Sequence, residues 1–316
     1  MKPGLAALTL LALAGAVPAA TPLAPSANWS LAWSDEFDGE RIDLAKWGFD
    51  VDCWGGGNEE RQCYTDSARN AQVNGGLLVI TARHERVSGA ALPAAQRATA
   101  KHPKARVEQE YSSARLTTRG KAAWRYGRIE VRARLPQGQG TWPAIWMLPE
   151  QDSYGAWASS GEIDILEAVN LGVACKSCAS GREDTILGTI HFGNAWPGNK
   201  FASIEIHFPQ VLQGFHTYAV EWEPTKITWF VDNQIYAVRS ASEWFSGGSA
   251  KPGAPFDKAF HLILNLAIGG HLAEGRGQRG VDARGFPKRF EIDWVHVWRK
   301  RDVLPISQLS TPGTGD

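Results

Sequence analysis

Residues 161 to 167 read Gly161-Glu162-Ile163-Asp164-Ile165-Leu166-Glu167. Three acids stand in an otherwise apolar run, and apolar residues of this kind belong in a sheet. Side chains of a strand alternate between faces, so Glu162 and Asp164 point one way and Ile163 and Ile165 the other. Glu167 is out of phase by one residue, and a bulge at Ile165-Leu166 would return it to the acidic face. Carboxylates taken out of water are costly unless they are paired or do chemistry. Three on one strand face point to proton transfer and nucleophilic attack. The alternatives are an edge strand with a solvated acidic face, or a cation site.

The residues before this run bound where the protein works. Met1-Lys2-Pro3-Gly4 carries one positive charge, Leu5 to Val17 is apolar, and Pro18-Ala19-Ala20 is small. That pattern predicts a secretory signal peptide over 1–20, cut after Ala19 or Ala20, and a secreted, extracellular or periplasmic, product. No other stretch is apolar and long enough to span a bilayer, so no membrane partner is expected. About 275 residues then precede a polar tail, a length that suits one large β domain or two small ones. No linker divides them, and one domain over 28–300 is expected, with a tail over 301–316. Lys+Arg and Asp+Glu both number 33, which gives no electrostatic reason to bind nucleic acid.

Export permits disulfides, and four cysteines allow three pairings. Cys53 with Cys63 and Cys175 with Cys178 is the simplest; a redox or zinc role for Cys175-Lys176-Ser177-Cys178 is the alternative, with no second pair of ligands to support it. Fourteen tryptophans exceed what a core needs. Indole faces offer large contact area with few rotors, and they stack well on the apolar faces of sugar rings.

Strand signals dominate the rest. Residues 76–83, 126–135, 217–223, 226–231, 234–238, 261–267 and 289–298 read as strands, with turns at Pro224-Thr225 and Asp232-Asn233. Residues 240–245 suggest a turn or two of helix. The stretch 84–109 is rich in Ala, Arg and Lys without clear period, and reads as a long loop, or as a short helix near 90–100. Many short strands argue for an all-β sandwich or barrel.

Several runs together resemble glycoside hydrolase family 16, in its laminarinase-like branch: Trp33 to Gly39, Ser113 to Leu116, Tyr126 to Glu130, Thr141 to Leu148, Gly161 to Glu167 and Phe290 to Val295. They occur in the family's order over roughly residues 29 to 299. The resemblance implies an all-β jelly-roll β-sandwich of two curved antiparallel sheets, concanavalin A-like, with an open cleft on the concave face. It implies Glu162 as nucleophile, Glu167 as general acid/base and Asp164 as a modulator between them. A retaining glycosidase needs its two carboxyls about 5–5.5 Å apart. On a plain strand, positions five apart lie ~16 Å apart at ~3.3 Å rise, so the bulge is a geometric requirement. A like charge on Asp164 is expected to help keep Glu167 protonated.

The same resemblance implies Asn58, Arg125, Trp142, Trp146, Trp157, His191 and Asn265 as contacts to substrate. Packing in the core is the alternative for Trp146 and the other tryptophans, a surface strand end for Arg125, and a satisfied buried amide for Asn265. A structural calcium, with no part in catalysis, is implied at Glu36, the backbone of Gly76 and Asp293; a salt bridge or plain surface is the alternative there. The family's tryptophan after Asn-Leu-Ala-X-Gly-Gly is replaced by His271-Leu272-Ala273, which weakens the choice among glucans. The function expected is a secreted, monomeric, endo-acting retaining β-1,3-glucanase that needs no cofactor for catalysis. The alternatives are a mixed-linkage β-1,3-1,4-glucanase, a galactan hydrolase, a transglycosylase, and a glucan-binding lectin that does not cut.

Overall fold

The computed structural model describes residues 24–277 and 279–301. The expected signal peptide, and the expected tail apart from Arg301, lie outside the described residues. Among these residues the strands are β1 (Trp29–Asp35), β2 (Gly48–Asp50), β3 (Gln62–Tyr64), β4 (Ala71–Asn74), β5 (Leu77–Ala90), β6 (Arg106–Ser113), β7 (Arg115–Thr117), β8 (Gly127–Arg134) and β9 (Thr141–Pro149). They continue with β10 (Glu162–Glu167), β11 (Thr185–Gly193), β12 (Asn199–His207), β13 (His216–Glu223), β14 (Lys226–Val231), β15 (Gln234–Ser240), β16 (Phe260–Ile268) and β17 (Lys288–Lys300). Two short helices, α1 (Ala94–Arg97) and α2 (Gly270–Gly275), sit in connections. No helix among the described residues is long and apolar enough to cross a membrane.

Two sheets result. The larger runs β15-β14-β13-β8-β17-β5-β6-β3, with β1 on β17 and β4 on β5; the smaller runs β12-β11-β10-β9-β16-β7-β2. Pairing is antiparallel except between β3 and β6. Alternation explains how the sheets stack. In β8, Ile129, Val131 and Ala133 face inward, and they meet Ile145 and Met147 of β9, Ile163 and Ile165 of β10 and Leu264 of β16 in one buried cluster. Each large apolar side chain buried in this way contributes about 1.5–3 kcal/mol. The basic residues of β8 lie on the outer face, where Arg128 pairs with Glu130 and Glu221. The β14–β15 turn uses Asp232 and Asn233, both at positive φ, as a two-residue hairpin of the primed type requires.

The structure corrects one expectation. Residues 84–109 are not one long loop: β5 continues to Ala90 and pairs with β6 from Arg83↔Ser112 to Ala90↔Arg106, and the connection between them holds α1 (Ala94–Arg97), the short helix allowed for near 90–100. This ribbon alternates between half-buried and exposed residues and offers no apolar face, so its period of two never shows as hydrophobicity. It is anchored at its end, where Cys53 N–H bonds Ala90 O at 2.7 Å. Both disulfides, Cys53–Cys63 and Cys175–Cys178, are present. The second ties up both thiols that a zinc site would need. Residues 241–243 form the single turn expected there, closed by a capping box of Ser240 and Glu243.

Candidate active site

The bulge falls where the phase of the sequence puts it. Against β11, Asp164 pairs with Thr189 and Glu167 with Leu187; against β9, Asp164 pairs with Trp146 and Leu166 with Ile145. Both ladders lose register across Ile165, which is the extra residue. Ile163, Ile165 and Leu166 are fully buried in the core, so the three acids project from the opposite face of the smaller sheet.

Each glutamate is held by an indole. Trp157 donates its N–H to Glu162 Oε2 at 2.6 Å, and Trp142 donates to Glu167 Oε1 at 3.0 Å. His191, across the ladder from Glu162, brings Nε2 to 3.4 Å from Asp164 Oδ2 and 3.7 Å from Glu162 Oε1. Asp164 is buried, and its Oδ2 has no hydrogen-bond partner of good geometry.

The electrostatics follow from this crowding. Burial, then the charge of Glu162, lifts Glu167 to about 7, with His191 and the Trp142 N–H opposing. Burial, and then Glu162 and Glu167, pushes Asp164 well above the usual carboxylate range. Desolvation works against the His191 imidazolium, but the surrounding carboxyls outweigh it and hold its pKa at about 9. The expectation that Asp164's charge keeps Glu167 protonated is therefore revised: loss of solvent is the first cause, and Glu162 supplies the like charge.

On the β9 side the acids are bordered by a relay of hydrogen bonds. Trp146 Nε1 donates to Asn265 Oδ1 at 2.6 Å, Asn265 Nδ2 to the Tyr64 hydroxyl at 3.0 Å, and that hydroxyl to Glu60 Oε2 at 3.3 Å. Glu60 also accepts from Asn58 Nδ2 at 3.2 Å and Gln62 Nε2 at 2.7 Å. Asn265 thus spends both ends of its amide inside the protein and positions Trp146, rather than offering itself to the cleft. Asn58 lies half-buried at the end of the relay. The three tryptophans do not form one wall: Trp142 marks the Glu167 end of β10, Trp157 the Glu162 end, and Trp146 lies beside Asp164 toward β16.

Arg125 does not join this group. It stacks on Tyr126 at 5.5 Å and lines a separate recess with Trp124 and Trp298. Arg115, on β7 opposite Asn265, is the arginine that borders this group: its guanidinium lies 4.7 Å from the Tyr64 ring and 5.2 Å from the Trp146 ring, and its buried Nε lacks a partner. Sequence reasoning passed over Arg115, Tyr64 and Glu60. The one signal was an arginine inside Ser113 to Leu116, and nothing local says that this strand borders β16.

Beyond His191 lies a second group of aromatics. Phe201, opposite His191 on edge strand β12, has its ring 5.9 Å from the imidazole and is 66% exposed. Trp196, 74% exposed, joins its backbone N–H to Trp157 O. Exposed apolar groups collected beside the acids make this a candidate binding surface. At the other rim, α2 carries His271 and Leu272; Leu272 packs with Trp142, and the Arg61–Glu274 pair fixes the helix.

The corner expected to hold calcium is assembled by register. Asp35 pairs with Val295 and Leu78 with Ile292, which brings Glu36, Gly76 and Asp293 beside one stretch of β17. The Glu36 carboxylate is turned to His296, with 3.0 and 3.1 Å to Nε2, and Asp293 Oδ2 pairs with Arg132. Both carboxylates are thus already engaged by protein partners, Glu36 by His296 and Asp293 by Arg132. Carboxylate and carbonyl oxygens are hard donors of the kind calcium takes, so the donor chemistry of these residues suits that ion.

Comparison with known proteins identifies the family and the fold. The pattern of the glycosyl hydrolases family 16 matches residues 58–296. The β-glucanase of Rhodothermus marinus is 43% identical over 280 residues, 86% of this chain and 86% of that protein. The glucan endo-1,3-β-glucosidase of Cryptopygus antarcticus is 39% identical over 276 residues, 85% of this chain and 92% of that protein. The X-ray structure of the laminarinase from Rhodothermus marinus superposes with a TM-score of 0.69 at 41% identity, covering 87% of this chain and 98% of that one.

Proposed function

Because the chain belongs to glycoside hydrolase family 16, we propose that it is a secreted, endo-acting β-1,3-glucanase that retains anomeric configuration. One observation carries this: the Ile165 bulge sets Glu162 and Glu167 on one face, each fixed by an indole N–H. Trp157 occupies Glu162 Oε2 and leaves Oε1 to attack the anomeric carbon. Trp142 occupies Glu167 Oε1 and leaves Oε2 for the proton. The C1–O bond breaks as Oε1 bonds to C1, and the leaving oxygen takes the proton of Glu167. Glu167, now ionised, then takes a proton from water as that water displaces the ester. Two inversions at C1 restore the β configuration.

The burial that lifts Glu167 to about 7 supplies its proton near neutral pH, as an acid of this kind needs. An open cleft with aromatics on both sides of the acids suits attack within a chain rather than at its end. The two disulfides suit an oxidising compartment, which supports export. A calcium ion held by Asp293 and the carbonyls of Glu36 and Gly76 would tie β1, the β4–β5 turn and β17 together, far from the chemistry. The protein is proposed to act as a monomer.

Reducing-end release from laminarin, lichenan, barley glucan and agarose tests the substrate. Laminarin is expected to be cut fastest. Cutting of barley glucan or agarose but not laminarin would transfer the function to those polymers, and binding without release would make it a lectin. Glu162→Gln and Glu167→Gln are each expected to lower the rate on laminarin by on the order of 10³ with the fold intact; wild-type activity in either would refute the roles.

A further inference from the structure

The bulge that brings the glutamates together breaks the ladder on both sides of β10, and its backbone groups need other partners. They find them in the opposite sheet. Trp229 of β14, 1% exposed, donates its indole N–H to Asp164 O at 2.8 Å. The Tyr236 hydroxyl of β15 points at Ile165 O from 3.5 Å. Tyr236 is itself the extra residue of a second bulge, since Trp229 pairs with Ala237 and Phe230 with Ile235. A bulge in the larger sheet therefore faces the bulge in the smaller one, and its tyrosine reaches the carbonyl next to the one Trp229 holds.

Gly188 makes the approach possible. It stands in β11 between Leu187 and Thr189, the partners of Glu167 and Asp164. A Cβ there would lie 2.5 Å from Trp229 Cδ1, 2.8 Å from its Nε1 and 2.8 Å from the Tyr236 hydroxyl oxygen. Its φ is not in the left-handed region, so space and not backbone conformation demands glycine. Three strands of two sheets thus agree on one purpose at one point.

We propose that Trp229, seated by Gly188 and seconded by Tyr236, is a positioning residue for Glu167: it holds the Ile165 bulge open through the Asp164 carbonyl. Without that donor the carbonyl is buried and unpaired, and the strand regains a partner by closing the bulge. A one-residue slip turns every later side chain to the other face, which takes Glu167 out of the cleft and leaves Glu162, upstream of the bulge, in place. This role rests on the retaining mechanism proposed above.

The consequence is selective. A glucan needs Glu167 to protonate its leaving oxygen; a 2,4-dinitrophenyl β-glycoside of a laminari-oligosaccharide has a leaving group that needs no proton. Trp229→Phe removes the N–H and keeps most of the bulk. The expected result is a fall of at least tenfold in kcat/KM on laminarin with less than threefold on the dinitrophenyl glycoside. Equal losses on both would overturn the proposal, as would a variant with a lower Tm but wild-type kcat/KM on laminarin. If Trp229→Phe does not fold, Tyr236→Phe is measured on the same two substrates: a smaller loss confined to laminarin supports the role, and equal or no loss overturns it. Wild-type protein that cuts neither substrate would instead defeat the glucanase function itself, which separates the two failures.

Discussion

His191 and Glu162 stand opposite each other in the β10–β11 ladder, with Nε2 and Oε1 3.7 Å apart. Burial disfavours the imidazolium, but Glu162 and the other two acids hold its pKa at about 9, so His191 is a cation through the neutral range. It draws down the proton affinity of Glu167, which burial and Glu162 raise to about 7. The form with Glu167 protonated is lost above that value, so kcat/KM on laminarin should fall as pH rises through about 7. His191→Gln removes the cation without opening the site and should move this basic limb to higher pH. A limb that stays in place would show that His191 does not govern Glu167.

The same shifts bear on stability, with a definite sign. Glu167 has a folded value above its ordinary 4.5. Its contribution is complete below about 4.5 and is lost as pH rises through about 7. His191, raised from 6.5 to about 9, contributes fully below 6.5 and loses its contribution through about 9. Tm is expected to decline from pH 5 to pH 9. Glu167→Gln should flatten the part between pH 5 and 7, which thermal scans across pH would show.

Asn265 links Trp146 to Tyr64. Asn265→Ala leaves the Trp146 N–H and the Tyr64 oxygen without this partner, at a cost of about 1–3 kcal/mol. On the proposal that Trp146 orients sugar and not the reacting atoms, it should lower Tm and raise KM for laminarin more than it lowers kcat. A change confined to kcat would contradict that division.

Phe201 stands on the far side of His191 from Trp146, and exposed Trp196 joins its backbone to Trp157. If sugars bind on both sides of the acids, Phe201→Ala combined with Trp196→Ala should raise KM for laminarin about tenfold, given about 0.5–1.5 kcal/mol for each aromatic contact. The rate on the dinitrophenyl glycoside should change little. Unchanged KM would remove these residues from the cleft.

Calcium binding at Asp293 should appear as stability alone. Adding calcium to chelator-treated protein is expected to raise Tm by a few degrees, on the order of 1 kcal/mol for a domain of this size, while kcat on laminarin at 25 °C stays the same. Asp293→Asn should abolish the response. No response in the wild type would mean that Arg132 and His296 satisfy the corner without an ion.

Much of this was legible in the residues. The strands around Ile129, Leu264 and Val295 show their period of two because one face of each is apolar and buried. The single phase error at Glu167 announces the bulge for the same reason. The β5–β6 ribbon was not legible, since neither face is apolar and pairing is its only organisation. Arg125 and Arg115 show why contacts across the sheet are hard to place: both are arginines near strand ends, and only the ladder that sets Arg115 beside Asn265 separates them. Trp229 falls within the strand read over 226–231. Its donor role depends on a carbonyl 65 residues away and on the missing side chain of Gly188.

On the proposed mechanism, a kinked strand lets two glutamates work in succession on one anomeric carbon. Proton NMR of a fresh laminarin digest, followed before mutarotation equilibrates the products, reads this directly. Newly formed reducing ends are expected as the β anomer first, with α appearing later. α anomer appearing first would mean a single displacement, and would contradict the roles given to Glu162 and Glu167.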